Sequence, residues 1–159
     1  MKLSLTDFKK IVESTPLISI DLVVRNDQGS VLLGKRTNRP AQNFWFVPGG
    51  RVLKDEPFEY AFKRLLREEL GIGAANANFI GLYQHFYEDN FSEDDFSTHY
   101  IVLAYEITFK GELASLPLKQ HSKYTWFTKK DLLENENIHK HSKWYFQENR
   151  NADLFLNNK

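Results

Sequence analysis

The sequence predicts an α/β fold of the α+β type, in which a mixed β-sheet is sandwiched between α-helices. Short stretches with apolar residues at every second position predict strands, and longer stretches with apolar residues every three or four positions predict helices. The two kinds of stretch are interspersed along the chain. Its 159 residues fit one domain, residues 1–159, and contain no recognisable linker or internal repeat,.

Composition excludes several classes of function. Lys plus Arg and Asp plus Glu both number 21, so there is no basic excess for general binding to nucleic acid or a membrane surface,. The absence of cysteine excludes disulfides and thiolate metal sites,. No apolar run approaches the roughly 20 residues that span a bilayer, and the N-terminus has no apolar signal core. We therefore expect a soluble, cytoplasmic protein.

The first third of the chain predicts a helix followed by a β-hairpin. The helix should begin after Ser4 and end near Ser14, because Thr15 precedes a proline,. The apolar period then changes to two, which predicts a strand from Leu17. One face of this strand carries Ile18, Ile20, Leu22 and Val24, and the other carries Ser19, Asp21 and Val23. A turn at 26–29 leads to a return strand at 31–36.

Further elements follow the same two patterns. Strands are expected at 44–47, about 79–86, about 98–107 and 123–127, with helices after Glu56, after Thr128 and at about 140–148,. Gly71 suits the C-terminal cap of the helix after Glu56. Residues 48–50, 87–97 and about 110–122 are interpreted as loops, and residues 151–159 are expected to fray. Phe91 and Phe96 could fold the acidic loop over a site, whereas His139 and His141 are expected at the surface.

The stretch from Gly49 to Gly71 has the layout of a metal and phosphate site. A glycine pair lets the backbone approach a ligand closely, and its carbonyl could bind a cation. Glu68 and Glu69 then lie side by side at the end of a helix, where carboxylates favour Mg²⁺ or Mn²⁺,. On a generic helix such residues are more often a solvated surface pair.

The spacing within this stretch favours the functional interpretation. Residues 50–72 match the pattern of the Nudix box at Gly50, Glu56, Arg64, Leu66, Glu68, Glu69, Gly71 and Ile72. The chain thus resembles the Nudix hydrolases, which implies the Nudix fold. One position departs from the pattern, because Leu65 stands where most Nudix enzymes carry a glutamate. A leucine can neither bind metal nor activate water.

One branch with this departure is GDP-mannose mannosyl hydrolase, which the chain resembles from about Phe8 to Trp144. The likeness includes residues 14–17, 33–42, 45–52, 84–87, 89–92, 98–100 and 120–121. It implies hydrolysis of GDP-mannose, with GDP-glucose as a further candidate, to GDP and free sugar. In that reaction water attacks C1 of the sugar with inversion. Glu68 departs from this branch, which can carry a non-acidic residue there.

The resemblance also implies a metal and a general base. Glu69 would be the main ligand of one Mg²⁺ ion per active site, for which Mn²⁺ can substitute. The carbonyl of Gly49 and the side chain of Gln120 would complete the ligand set. His121 aligns with the family's general base, and an ordinary histidine pKa near neutrality suits that role. Without the resemblance, Gln120 and His121 would be interpreted as surface residues.

Other residues are assigned to the substrate, and the relatives imply a homodimer. Arg36 and Arg51 should contact the diphosphate and stabilise the leaving GDP, because guanidinium is always charged and donates in a fork. Arg64 is expected to brace the box, with contact to the substrate as the alternative. Sugar and phosphate contacts are expected from Asp21, His85 and Tyr100, with packing as the competing interpretation for the last two.

Two alternatives remain open from the sequence. The first is a Nudix pyrophosphohydrolase that cleaves a nucleotide sugar or nucleoside triphosphate at phosphorus, which Glu68 with Glu69 could support. The second is a non-catalytic Nudix module that only binds a nucleotide, which Leu65 suggests. Four retained residues argue against the second, namely Glu69, Arg36, Arg51 and His121.

Overall fold

The computed structural model describes residues 3–154, which form a seven-stranded mixed sheet. The strands are β1 (Leu17–Arg25), β2 (Val31–Arg36), β3 (Trp45–Phe46), β4 (Gly49–Arg51), β5 (Ala77–Tyr87), β6 (Thr98–Thr108) and β7 (His121–Phe127). Their order is β3-β2-β1-β6-β5, with β4 paired to β1 and β7 paired to β2. The β1–β6 pair is parallel and the others are antiparallel. The expected mixed sheet is confirmed.

Within the described residues, four α-helices accompany the sheet at the expected places. They are α1 (Leu5–Ser14), α2 (Phe58–Leu70), α3 (Lys129–Glu134) and α4 (Lys140–Trp144). Local capping explains their ends. The Ser4 side chain accepts a hydrogen bond from the Asp7 amide at 3.1 Å, and Thr128 does the same for Asp131,. Gly71 ends α2 in the left-handed conformation, with φ of 69°,.

Two apolar cores lie on opposite faces of β1, as its period of two predicts. Ile20, Leu22 and Val24 pack against α2, whereas Val23 packs with residues of α3 and the α4 region,. The helices therefore sandwich the sheet.

The burial of β1 differs from the expectation in one respect. Ser19 and Asp21 are only 6% exposed, because β1 is a central strand covered on both faces. Ile18 on the apolar face is instead 46% exposed.

Two segments interpreted as loops pair with the sheet. Gly49 to Arg51 form β4, whose Gly49 lies opposite Asp21. A single 3₁₀ turn at Leu113–Ser115 interrupts the loop after β6, and β7 begins at His121 rather than at residue 123. His121 is therefore the buried first residue of β7, opposite Arg36, and does not lie in a polar loop.

The C-terminal part is more ordered than expected. Helix α4 is shorter than predicted, but Leu154 pairs with Leu82, and Asp153 accepts from the Gln84 amide at 2.7 Å. The expected fraying is thus wrong for residues 151–154, and residues 155–159 lie outside the described part. The surface prediction for the two histidines is also wrong: His141 is fully buried and His139 is partly buried.

Ser142 connects α4 to the segment that precedes the glycine pair. Its hydroxyl accepts a hydrogen bond from the Val47 amide at 3.0 Å, and both residues are buried. Replacing Ser142 with alanine should lower the free energy of unfolding by about 1–3 kcal/mol, because the amide loses its partner without gaining water.

Denaturant unfolding measures this loss. Ser115→Ala is the matched control, since Ser115 is exposed and its replacement should change stability by less than about 0.5 kcal/mol,. Equal losses in the two variants would contradict the assignment.

No helix within residues 3–154 is both long and apolar enough to cross a membrane.

Candidate active site

A cavity of about 410 Å³ opens where β1, β4, α1 and α2 meet. It brings together most of the residues expected to form a site. Seven of them line it: Asp21, Arg36, Gly49, Arg51, His85, Tyr100 and Gln120. The two others, Glu69 and His121, lie immediately behind this lining, since Gln120 donates a hydrogen bond to the Glu69 carboxylate at 2.8 Å.

The carboxylate of Glu69 is the most buried charge of the site. Glu69 is 2% exposed, and its Oε2 has no hydrogen-bond partner within residues 3–154. Burial and the neighbouring carboxylate of Glu68 raise the pKa of Glu69 to about 7. An ionised carboxylate that lacks a partner in the interior is costly unless a cation neutralises it.

These observations fit a divalent cation. The unpartnered Glu69 oxygen, the side-chain carbonyl of Gln120 and the backbone carbonyl of Gly49 are hard oxygen donors of the kind that Mg²⁺ and Mn²⁺ prefer. Among residues 3–154, no group of three or more His, Asp or Glu side chains is arranged to hold a metal. A cation would therefore depend on one buried carboxylate supplemented by neutral oxygens.

Two neighbouring groups contact the same ring nitrogen of His121. Its Nδ1 lies 3.2 Å from the Tyr124 hydroxyl and 3.5 Å from Glu69 Oε2. The Tyr124 hydroxyl donates to the Pro117 carbonyl at 2.9 Å, so its oxygen can accept a hydrogen bond from Nδ1–H,. That arrangement leaves the lone pair on Nε2, which is buried without a partner among the described residues. A Cβ on Gly34 would collide with the imidazole ring.

The protonation of His121 differs from the expectation based on an ordinary histidine. Burial and the positive charge of Arg36 lower the pKa of His121 to about 4. The imidazole is consequently neutral at physiological pH, which is the form that accepts a proton.

The glycine pair and Leu65 form one packed unit. A Cβ on Gly49 would lie 2.4 Å from the Ile20 carbonyl oxygen, and a Cβ on Gly50 would lie 2.6 Å from Leu65 Cδ2. The clash at Gly49 is with rigid backbone, so only glycine fits there, whereas a side chain at position 50 would require Leu65 to move,. Leu65 is 1% exposed and borders the cavity, so an apolar side chain closes the place where the box otherwise carries a glutamate.

Two arginines in the cavity carry uncompensated charge. Arg36 and Arg51 form no ion pair with a carboxylate in the described part of the chain. The Arg36 Nε donates to the Pro40 carbonyl at 3.0 Å, and the Arg51 guanidinium lies 4.2 Å from the centre of the Phe8 ring. Both are therefore positioned with charge available for an anion such as a diphosphate.

Arg64 braces the box, as the sequence suggested. It donates to both oxygens of Glu56 at 2.7 and 2.8 Å, to the Arg51 carbonyl at 2.8 Å and to Glu68 at 3.0 Å. These bonds join the loop before α2 to the helix itself. Glu68, whose role was open, lines the cavity. Its carboxylate and that of Glu56 both accept hydrogen bonds from Arg64.

The cavity lining also includes the polar residues Asp21 and His85. Burial raises the pKa of Asp21 to about 7, although the Tyr145 hydroxyl and the charge of Arg36 act in the opposite direction. Burial lowers the pKa of His85 to about 3, so this ring is neutral. Tyr100, whose pKa is raised by burial, is a neutral hydroxyl donor.

Several cavity residues were not assigned to the site from the sequence. The rings of Phe8 and Phe91 pack in a tilted arrangement with centres 4.7 Å apart and cover one side, which places the acidic loop beside the cavity. Arg39 and Tyr87 also line it, and Arg39 pairs with Asp89 at 3.1 Å. Of these residues, only Phe91 is singled out by the sequence, because an aromatic residue within an acidic loop could fold that loop over a site.

The raised pKa of Glu69 predicts a pH dependence of cation binding. Because the cation binds the ionised carboxylate, Mg²⁺ affinity should increase from about pH 6 to about pH 8, with release of a proton on binding,. Calorimetry in buffers of different ionisation enthalpy measures both quantities. Asp21→Asn serves as a control that should retain the dependence. An affinity that is flat over this range would remove Glu69 from the ligand set.

Comparison with known proteins identifies related sequences and related folds. The chain is 40% identical over 121 residues to the low-salt glycan biosynthesis protein Agl8 of Haloferax volcanii, a match that covers 76% of each protein. The structure resembles the MutT protein of Methanosarcina mazei Go1, with a TM-score of 0.67, 22% identity and coverage of 84% of this chain and 92% of that one.

A further structural neighbour is the NUDIX domain of Shewanella oneidensis NrtR in complex with ADP ribose. Its TM-score is 0.62 at 19% identity, covering 87% of this chain and 92% of that chain. Both structural likenesses establish the fold alone. The NUDIX domain family model matches residues 15–147, which include every expected site residue. The chain therefore belongs to the NUDIX domain family.

Proposed function

We propose that this Nudix hydrolase converts GDP-mannose to GDP and free sugar by attack of water at C1 with inversion. The observation that carries the proposal is the packing of Leu65 against Gly50. It removes the carboxylate that would activate water beside the cation for attack at phosphorus. The proposed cation site retains a single buried carboxylate, Glu69.

Leaving-group stabilisation is the task that the rest of the site supports. A divalent cation held by Glu69, Gln120 and Gly49 would neutralise charge on the diphosphate. Arg36 and Arg51 would donate hydrogen bonds to the same group while the bond between C1 and oxygen breaks. With GDP stabilised in this way, cleavage between phosphorus and oxygen is unnecessary.

An inverting displacement needs a base to take the proton of the attacking water on the face opposite the leaving group. The neutral imidazole of His121 supports this role, because Nδ1 is occupied by Tyr124 and Nε2 carries the free lone pair. The electron pair of the C1–O bond leaves with GDP, and the water proton passes to Nε2.

The sugar would lie in the cavity beside Asp21 and His85. Asp21 can accept hydrogen bonds from sugar hydroxyls, and both residues line the cavity. A sugar substrate also agrees with the relative from Haloferax volcanii, whose name places it in glycan biosynthesis.

A homodimer, implied by the resemblance, is part of the proposal and is tested by light scattering.

Cleavage at phosphorus is the second candidate, and one observation favours it. Glu68 borders the cavity next to Glu69, so two carboxylates could share a cation or orient a water. The products then differ: GMP and a sugar phosphate instead of GDP and free sugar.

Hydrolysis of GDP-mannose in ¹⁸O-labelled water with Mg²⁺ separates the possibilities. We expect the label in the free sugar, released first as the inverted anomer and observed by NMR. Label in a phosphate would support the second candidate and overturn attack at C1. Binding of GDP-mannose without turnover in excess Mg²⁺ would identify a non-catalytic module. A panel of nucleotide sugars, including GDP-glucose, defines the preference.

A further inference from the structure

Tyr145, directly after α4, contacts two polar residues of the cavity from behind. Its hydroxyl lies 2.6 Å from Asp21 Oδ2 and 3.4 Å from His85 Nε2. Asp21 and His85 both line the cavity, whereas Tyr145 is not among the lining residues. One hydroxyl thus connects side chains of β1 and β5 that face the proposed sugar.

The direction of these hydrogen bonds follows from the chemistry of the groups. Tyr145 has one proton and keeps it, because burial and the adjacent Asp21 raise its pKa. A carboxylate only accepts, so the hydroxyl donates to Asp21. The hydroxyl oxygen can then accept a hydrogen bond from His85 Nε2. The chain from His85 through Tyr145 to Asp21 orients both side chains relative to each other.

Packing holds the Tyr145 hydroxyl in place. Its ring meets the ring of Tyr83 edge-on at 4.9 Å between centres. The His85 ring stacks on the buried His141 at 4.1 Å. Three residues before Tyr145, Ser142 is bonded to the Val47 amide, which ties α4 to the cavity wall. These contacts leave the tyrosine little freedom to rotate away from Asp21.

We propose that Tyr145 is a positioning residue for sugar recognition, which holds Asp21 and His85 in the arrangement that selects between sugar epimers. This inference rests on the proposed function, since it assigns the sugar to Asp21 and His85. A site built to hydrogen-bond a particular hydroxyl discriminates strongly against an analogue that places the hydroxyl elsewhere. Such discrimination depends on the carboxylate being fixed, and the Tyr145 hydroxyl is its only hydrogen-bonded side-chain partner in residues 3–154.

Tyr145→Phe tests the proposal, because it removes the hydroxyl and keeps the packed ring. GDP-mannose and GDP-glucose are the probes, as they differ only in the configuration at C2. We expect the ratio of their kcat/KM values to move toward one by about tenfold or more, the factor that corresponds to loss of a hydrogen bond to a charged group. The affinity for GDP, measured by calorimetry, should be unchanged.

Tyr105→Phe is the matched control, since Tyr105 packs between Phe62 and Phe79 and is not part of the cavity lining. An unchanged epimer ratio in Tyr145→Phe would overturn the proposal. So would an equal loss of GDP affinity, which would show a general structural effect. If the wild-type protein releases no free sugar, the proposed function fails separately. The inference is then decided by whether Tyr145→Phe abolishes the affinity difference between intact GDP-mannose and GDP.

Discussion

Replacing Glu69 with glutamine is expected to lower kcat by at least about 10²-fold, since even groups that only support a metal ligand contribute 10–100-fold. The same substitution should stabilise the metal-free protein. Glu69 is 2% exposed and its pKa is raised from 4.5 to about 7, so its ionised form is unfavourable in the folded state without a cation. We expect a gain in the free energy of unfolding of up to about 3 kcal/mol at about pH 8.

The pH dependence of this gain provides an internal check. A carboxyl whose folded pKa is raised contributes stability below its unfolded pKa and loses it as the pH rises through the folded value. The gain should therefore vanish below about pH 4 and be complete above about pH 7. Glu59→Gln is the control, because Glu59 lies exposed in the first turn of α2. Activity of Glu69→Gln that retains its Mg²⁺ dependence would refute the assignment.

Replacing His121 with glutamine is expected to lower kcat by about 10²–10⁴-fold on GDP-mannose, with a smaller change in KM. Glutamine keeps hydrogen-bonding groups in the space between Tyr124 and Glu69 but cannot accept a proton from water. Because the pKa of His121 is lowered to about 4, the wild-type base stays neutral above that pH and should not limit the rate near neutrality.

Steady-state kinetics with NMR detection of the products measures this effect. His99→Gln is the matched control, since His99 stacks on Phe86 and does not line the cavity. The two histidines should differ by at least about tenfold in their effect on kcat. An unchanged kcat in His121→Gln would assign the base elsewhere, and Glu68 would be the next residue to replace.

Local signals in the sequence predicted the secondary structure well. The Ser4 and Thr128 caps, the Gly71 terminus and the change of period at Leu17 all correspond to observed boundaries. Each of these signals depends on neighbours within a few residues, so it can be recognised in a single sequence.

The wrong predictions for Gly49–Arg51, His121 and His141 share one physical cause. The Gly49–Arg51 strand has no strand pattern, because glycine has low strand propensity and its pairing is imposed by β1,. His121 resembles a polar loop residue until the pairing of β7 with β2 places it under Gly34. His141 likewise becomes buried only when α4 packs against β5. In each case a contact distant in sequence outweighs the local preference.

By itself, the sequence determined the order of the elements, the glycine pair beside α2 and the group of residues that belongs to the box. Those features follow from spacing along one strand or helix. Only the tertiary structure decided that Leu65 seals the place of a carboxylate, that Glu69 has an oxygen without a partner, and that Tyr145 contacts Asp21 across 124 positions. Burial and hydrogen-bond partners depend on the packing of separate elements, and no local pattern encodes them.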